Sequence, residues 1–139
     1  MKVRDAMAKT ITCASPGDRI DDAARAMSAE GAGFLPVVDN GGLVGVLTDR
    51  DIVLRCIAEG PANPRECSVG EVMSTDVRTI SPDDDLGEAA RIMSEGEIRR
   101  LPVVEGGRVV GVLSHGNLVQ ATTGEGPGKD ATLGVTEGA

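Results

Sequence analysis

The sequence predicts an α/β fold in which two β-α-β-β-α repeats pack with pseudo-twofold symmetry into one module. Three observations predict it. At a constant shift of 66 residues and with no gap, about 19 of the 50 pairs between residues 3–52 and 69–118 are identical. Each copy holds one stretch of helical periodicity and two short apolar runs separated by turn residues. A unit of about 50 residues buries too little surface to be stable alone, so the copies are expected to pack together, with equivalent clefts between them.

The elements follow in the same order in each copy. Val3 to Met7 and Val69 to Met73 read as short amphipathic turns. Thr10 to Cys13 and Val77 to Ile80 read as brief strands, ended by Ser15-Pro16 and Ser81-Pro82, because the residue before a proline avoids the helical region. Ile20, Ala23, Ala24 and Met27 are spaced as one buried helical stripe, as are Leu86, Ala89, Ala90 and Met93. Asp18 is the expected N-cap of the first helix, Asp85 and Glu88 have capping-box spacing in the second, and Gly31 or Gly96 ends the helix. The paired alanines favour close approach to a sheet. Leu35 to Val38 and Leu43 to Thr48 then form a hairpin across Asp39-Asn40-Gly41-Gly42, and Leu101 to Glu105 and Arg108 to Ser114 form one across Gly106-Gly107. A last helix starts at Asp49 or His115. The expected organisation is repeat 3–59, linker 60–67 built around Gly60-Pro61-Ala62-Asn63-Pro64, repeat 68–120, and a flexible tail 121–139.

Composition narrows the function. Phe34 is the only aromatic residue, so the core is aliphatic. A formal charge of −8 disfavours nucleic acid as a partner. No apolar run approaches the roughly 20 residues of a membrane span, and Met1-Lys2-Val3-Arg4-Asp5 runs directly into the first repeat, which argues against a signal peptide. A cytoplasmic location is expected. Cys13, Cys56 and Cys67 form no CxxC and read as free thiols suited to a reducing compartment; with one histidine, a metal site is not expected. No P-loop, HExxH or nucleophile–base word is present, so no catalytic residue is assigned.

Val3-Arg4-Asp5-Ala6-Met7, Leu35-Pro36-Val37-Val38-Asp39 and Gly45-Val46-Leu47-Thr48-Asp49-Arg50-Asp51-Ile52 are words of a known kind. The second copy repeats them as Val69-Gly70-Glu71-Val72-Met73, Ile98-Arg99-Arg100-Leu101-Pro102-Val103-Val104 and Gly111-Val112-Leu113-Ser114. In this order, twice, they resemble a tandem pair of cystathionine β-synthase (CBS) domains, a Bateman module, across residues 3–118. The resemblance implies a stand-alone bacterial CBS pair: a non-catalytic regulatory sensor that binds an adenine nucleotide or adenosyl ligand between repeats and works as a homodimer. AMP, ADP, ATP, S-adenosylmethionine, NAD and a signalling dinucleotide all remain open as ligands, with no covalent cofactor. The alternative is a ligand-free dimeric interaction protein acting through a protein partner.

A nucleotide asks for a carboxylate at its ribose diol, cations or N–H groups at its phosphates, and a flat slot for its base. In the family the word Gly-x-x-Thr/Ser-x-x-Asp serves the first two. Gly45, Thr48 and Asp51 keep it intact, although Thr48 and Asp51 also have simple helix-capping spacing. The second copy reads Gly111, Ser114 and Asn117, and the amide offers one acceptor oxygen without charge. Arg99 and Arg100 stand where family members carry phosphate-contacting bases; the first copy has Gly33 and Phe34 there. The resemblance implies that Thr48 and Asp51 share one ligand with Arg99 and Arg100. His115 aligns with Asp49 and would make the second cleft pH-sensitive if it lined it.

Overall fold

A computed structural model describes residues 1–123 of the chain. Its elements are a 3-10 turn Val3–Asp5, α1 (Ile20–Glu30), β1 (Phe34–Asp39), β2 (Gly42–Thr48), α2 (Asp49–Asp51) continuing as a π-helix Ile52–Ala58, α3 (Val69–Val72), α4 (Leu86–Gly96), β3 (Arg100–Glu105), β4 (Arg108–Ser114) and α5 (His115–Thr123). The expected tail begins inside α5, and its residues from 124 onward lie outside the described ones.

The elements gather into two compact units that do not coincide with the sequence repeats. One is Thr12–Val77; the other combines Met1–Ile11 with the chain from Arg78 onward. In the first unit the core joins Ile20, Ala23 and Met27 of α1 and Leu35, Val37 and Leu47 of the hairpin to Val69 and Val72 of α3. In the second, Leu86, Ala89 and Met93 of α4 and Leu101, Val103 and Leu113 enclose Val3, which is wholly buried. Each opening turn therefore completes the core of the other repeat. Backbone pairing fixes it there: Ala8 exchanges both hydrogen bonds with Val112, and Ser74 exchanges both with Val46.

Both sheets are antiparallel hairpins in matched register, Phe34 opposite Thr48 and Arg100 opposite Ser114, with a bulge after Val37 and after Val103. Their turns place Asn40-Gly41 and Gly106-Gly107 at positive φ, the two-residue turn whose twist suits the strands. The strand expected at Thr10 to Cys13 is reduced to one parallel bridge at Ala14, and that at Val77 to Ile80 to one at Ile80. Pro16 and Pro82 follow within two residues and have no N–H to extend the ladder.

Helix ends differ from expectation in instructive ways. Arg19, not Asp18, occupies the N-cap of α1, because the Asp18 carboxylate already accepts from the Ser15 amide at 2.9 Å. Asp85 caps α4 through the Gly87 amide, while Glu88 turns to Arg91 instead of closing a capping box. Ala24 and Ala90 are exposed, so the buried stripes hold only the first alanine of each pair. At the C-terminal ends Gly31 takes φ +69°, and the matching left-handed residue is Glu97 at φ +52°, not Gly96. A left-handed non-glycine residue costs roughly 1–2 kcal/mol, partly offset by the backbone freedom glycine adds to the unfolded chain. Glu97→Gly should therefore raise unfolding free energy by about 0.5–1 kcal/mol in denaturant titrations, and Gly31→Ala should lower it.

Among the described residues no helix is long and apolar enough to cross a membrane. The cysteines depart from the reading as free thiols: Cys56 and Cys67 are joined in a disulfide, and only Cys13 is free. The carboxylates of Asp21 and Asp83 sit beside guanidinium groups. For Asp21, burial opposes ionisation, but Arg19 and Arg25 outweigh it and hold its pKa below the ordinary 3.8. For Asp83, the Arg4 hydrogen bond dominates in the same direction. A depressed folded pKa contributes stability above the ordinary value that is lost as pH falls through the folded one. Thermal stability should thus decline below about pH 4, with a shallower decline in Asp21→Asn.

Candidate functional site

The junction of β2 and α2 places the best-formed polar cluster. Thr48 ends the strand in an extended conformation and caps the helix: its Oγ1 accepts from the Asp51 amide at 3.1 Å, and Asp51 Oδ2 accepts from the Thr48 amide at 3.0 Å. The capping reading of these two residues is therefore correct, and it does not exhaust the carboxylate. Ser74 Oγ donates to Asp51 Oδ1 at 3.1 Å, leaving each oxygen with a free lone-pair direction. Asp51 is buried.

Ser74 arrives there because Gly45 lets it. A Cβ at Gly45 would lie 2.7 Å from the Ser74 carbonyl oxygen and 2.9 Å from the Met73 sulfur. With only hydrogen on that Cα, the Met73-Ser74 segment lies flat against β2, and the serine hydroxyl meets the carboxylate. Gly111 is the counterpart, where a Cβ would meet Met7 Sδ at 2.7 Å and the Ala8 carbonyl at 2.8 Å.

The junction of β4 and α5 repeats the geometry with weaker chemistry. Ser114 Oγ accepts from the Asn117 amide at 3.0 Å, and Asn117 Oδ1 accepts from the Ser114 amide at 3.2 Å. Ala8 stands where Ser74 stands in the other unit and brings no hydroxyl. Within one chain, then, the carboxylate occurs where a third donor is supplied and the amide where it is not.

Of the sequence-predicted site residues, Thr48 and Asp51 come together in the Thr12–Val77 unit, while Arg99, Arg100, Ser114 and Asn117 all fall in the other. There Arg100 lies opposite Ser114 across the hairpin, and the Arg99 carbonyl accepts from the His115 amide at 2.7 Å. Arg99 and His115 line a groove of about 420 Å3 together with Met93, Glu97 and Leu118. The corresponding groove of the Thr12–Val77 unit, also about 420 Å3, carries Gly33 and Asp49 at those two places. Sequence reading missed Ser74. It carries no distinct signal in the sequence, because Ala8/Ser74 is one of several differences between the opening segments, with Arg4/Gly70, Asp5/Glu71, Ala6/Val72 and Lys9/Thr75. No group of three metal-ligating side chains occurs among the described residues.

Comparison with known proteins identifies the family of the fold. The family model for the CBS domain matches residues 3–57 and 69–124. The CBS domain-containing protein YhcV of Bacillus subtilis is 40% identical over 116 residues, covering 84% of this chain and 81% of that protein. The crystal structure of CBSX2 in complex with AMP superposes with a TM-score of 0.75 at 29% identity, over 88% of this chain and 96% of the other. The CBS domain pair of protein MJ0100, in complex with 5′-methylthioadenosine and S-adenosyl-L-methionine, superposes with a TM-score of 0.78 at 28% identity, over 89% and 97%.

Proposed function

The chain belongs to the CBS-domain family, with two copies of the domain in tandem, and from that premise we propose that it is a non-catalytic cytoplasmic module that binds an adenine nucleotide or adenosyl ligand and regulates a partner process. The observation that carries this reading is Asp51: a buried carboxylate at a helix start, with both oxygens oriented by donors and both retaining acceptor capacity. A ribose cis-diol presents two hydroxyl donors, and charge-assisted bonds to one carboxylate suit it. Thr48 stands beside Asp51, next to the helix N-terminus, where a phosphate is favoured by the dipole. In the other unit Arg99 and Arg100 supply phosphate contacts, while Ser114 and Asn117 form a weaker ribose site. The adenosyl ligands in CBSX2 and the MJ0100 pair support the ligand class. The protein partner in this reading is a second copy of the chain, docking on the exposed apolar side chains Val53, Leu54 and Ile57.

A thermal-shift panel of AMP, ADP, ATP, S-adenosylmethionine, NAD and a cyclic dinucleotide tests the reading. Ligand at a hundred times its Kd adds about 2.7 kcal/mol to stability, a shift of several degrees in a domain of this size. No shift with any of them would instead support a ligand-free interaction protein.

A second expectation concerns phosphate. Replacing Arg99 and Arg100 with alanine should weaken ATP by about 1–3 kcal/mol, less so at high salt, and leave adenosine little changed. Equal weakening of adenosine and ATP would assign the arginines to the fold.

A further inference from the structure

Cys56 and Cys67 are buried members of the Thr12–Val77 core, joined with their Cα atoms 6.3 Å apart. The bond ties the π-helical continuation of α2 to the residue just before the α3 cap. Asp51 stands at the start of that same helix, and Ser74, its hydroxyl donor, follows α3 by two residues. A second tie runs in parallel: Arg55 Nη1 donates to the carbonyls of Val72 and Met73 at 3.3 and 3.0 Å.

The loop between the two cysteines, residues 59–66, is almost entirely exposed. Ala62 in it takes φ +65°, a conformation that disfavours alanine, and its amide donates to the Cys56 carbonyl at 2.9 Å. The Asn63 carbonyl lies 3.5 Å from Cys67 Sγ, an acceptor for a thiol proton, so a reduced Cys67 has a partner in place. The other repeat has Thr122 and Met1 at the matching positions, so this link accompanies only the unit with the carboxylate and Ser74.

We propose that Cys56 and Cys67 form a reversible dithiol–disulfide site, oxidised by low-molecular-weight disulfides, whose oxidised state holds the Ser74 segment on Asp51 and so strengthens nucleotide binding there. The binding half rests on Asp51 as the ribose ligand; the redox half does not. Cys67 is the entry point, being 4% exposed where Cys56 is 0%. Its thiolate attacks one sulfur of the small disulfide, forming a mixed disulfide and releasing one small thiolate. The Cys56 thiolate then attacks Cys67 Sγ, forming the protein disulfide and releasing the second. The two cysteine protons end on the two small thiols; the protein loses two electrons and the small disulfide gains them. Reduction by a thiol runs the same steps backwards.

The test uses the full chain carrying Cys13→Ser, equilibrated across ratios of oxidised to reduced glutathione, then alkylated and weighed. A single two-thiol transition without denaturant is expected; a pair that resists reduction until the chain unfolds overturns the proposal. Amide hydrogen exchange at residues 69–74 should be about five-fold or more faster in the reduced form, and equal exchange in the two forms also overturns it. AMP affinity should fall about five-fold or more on reduction, as it should in Cys56→Ser/Cys67→Ser, and Ser74→Ala should abolish that redox difference while keeping a two-thiol transition, displaced toward the dithiol because the contact no longer favours the oxidised form. Should AMP bind neither form while exchange still responds, the redox site stands and the ligand reading of Asp51 fails. Equal AMP affinity in both forms overturns the coupling.

Discussion

A chain lacking residues 1–11 should lose stability in the unit that begins again at Arg78, not in the hairpin of the repeat those residues open. Val3 is wholly buried against Leu86, Leu101 and the rest of that core, and full burial of a valine contributes about 1.5–3 kcal/mol. Five backbone hydrogen bonds would go with it: Val3 to Asp84, Arg4 to Pro82, Leu86 to the Met1 carbonyl, and the reciprocal pair between Ala8 and Val112. At a net value near 1 kcal/mol each, the deletion costs roughly 6–8 kcal/mol, comparable to the whole stability of a small domain. Amide exchange should locate the damage, with protection lost first in Leu101–Val104 and Val109–Leu113. Val3→Ala is the milder control, expected to act in the same place. Greater loss of protection in Leu35–Val38 would contradict the assignment of the segment.

Asp51→Asn should weaken binding of the nucleotide that stabilises the chain by about ten-fold, since hydrogen bonds to a charged group are worth roughly 1.5–3 kcal/mol and neutral ones roughly 0.5–1.5. Asparagine keeps an acceptor for the Thr48 amide, as Asn117 does for Ser114, so the fold is preserved and the affinity reports charge. Asp51→Ala also removes the reciprocal cap, and should cost about 1 kcal/mol of stability in addition. The reverse exchange belongs in the other unit. Asn117→Asp should strengthen its site only modestly, because Ala8 supplies no hydroxyl to orient the new carboxylate; adding Ala8→Ser should complete it. Calorimetry that finds Asp51→Asn as tight as the natural chain would remove charge from the explanation.

The words at strand–helix junctions were legible because their chemistry is local. Thr48 and Asp51 are three residues apart, as are Ser114 and Asn117, and the caps they form follow from that spacing. Ser74 was not legible, since it reaches Asp51 across 23 residues through a contact that depends on the missing Cβ of Gly45. The helices were read in the right places, but their periodicity could not separate Ala23, which meets the core, from Ala24, which borders a groove. Nor does a repeat alignment say which core an opening turn enters. It shows that Val3 and Val69 are equivalent, and both are buried, each with the other repeat's hairpin. The cysteine pair was hidden for the same reason that makes it informative: the repeat has nothing to match it.

The exchange of opening turns bears on how such a chain grows. The unit Thr12–Val77 is 66 residues long, counting both ends, and the two copies are offset by the same 66. Excising that block joins Ile11 to Arg78 and leaves the other unit with every segment it uses, its own Val3 turn included. Inserting one more period, in turn, supplies a finished unit without taking an element from those already present. A genetic event one period long thus adds or removes a whole compact unit, even though the stretch it copies begins and ends in the middle of a repeat.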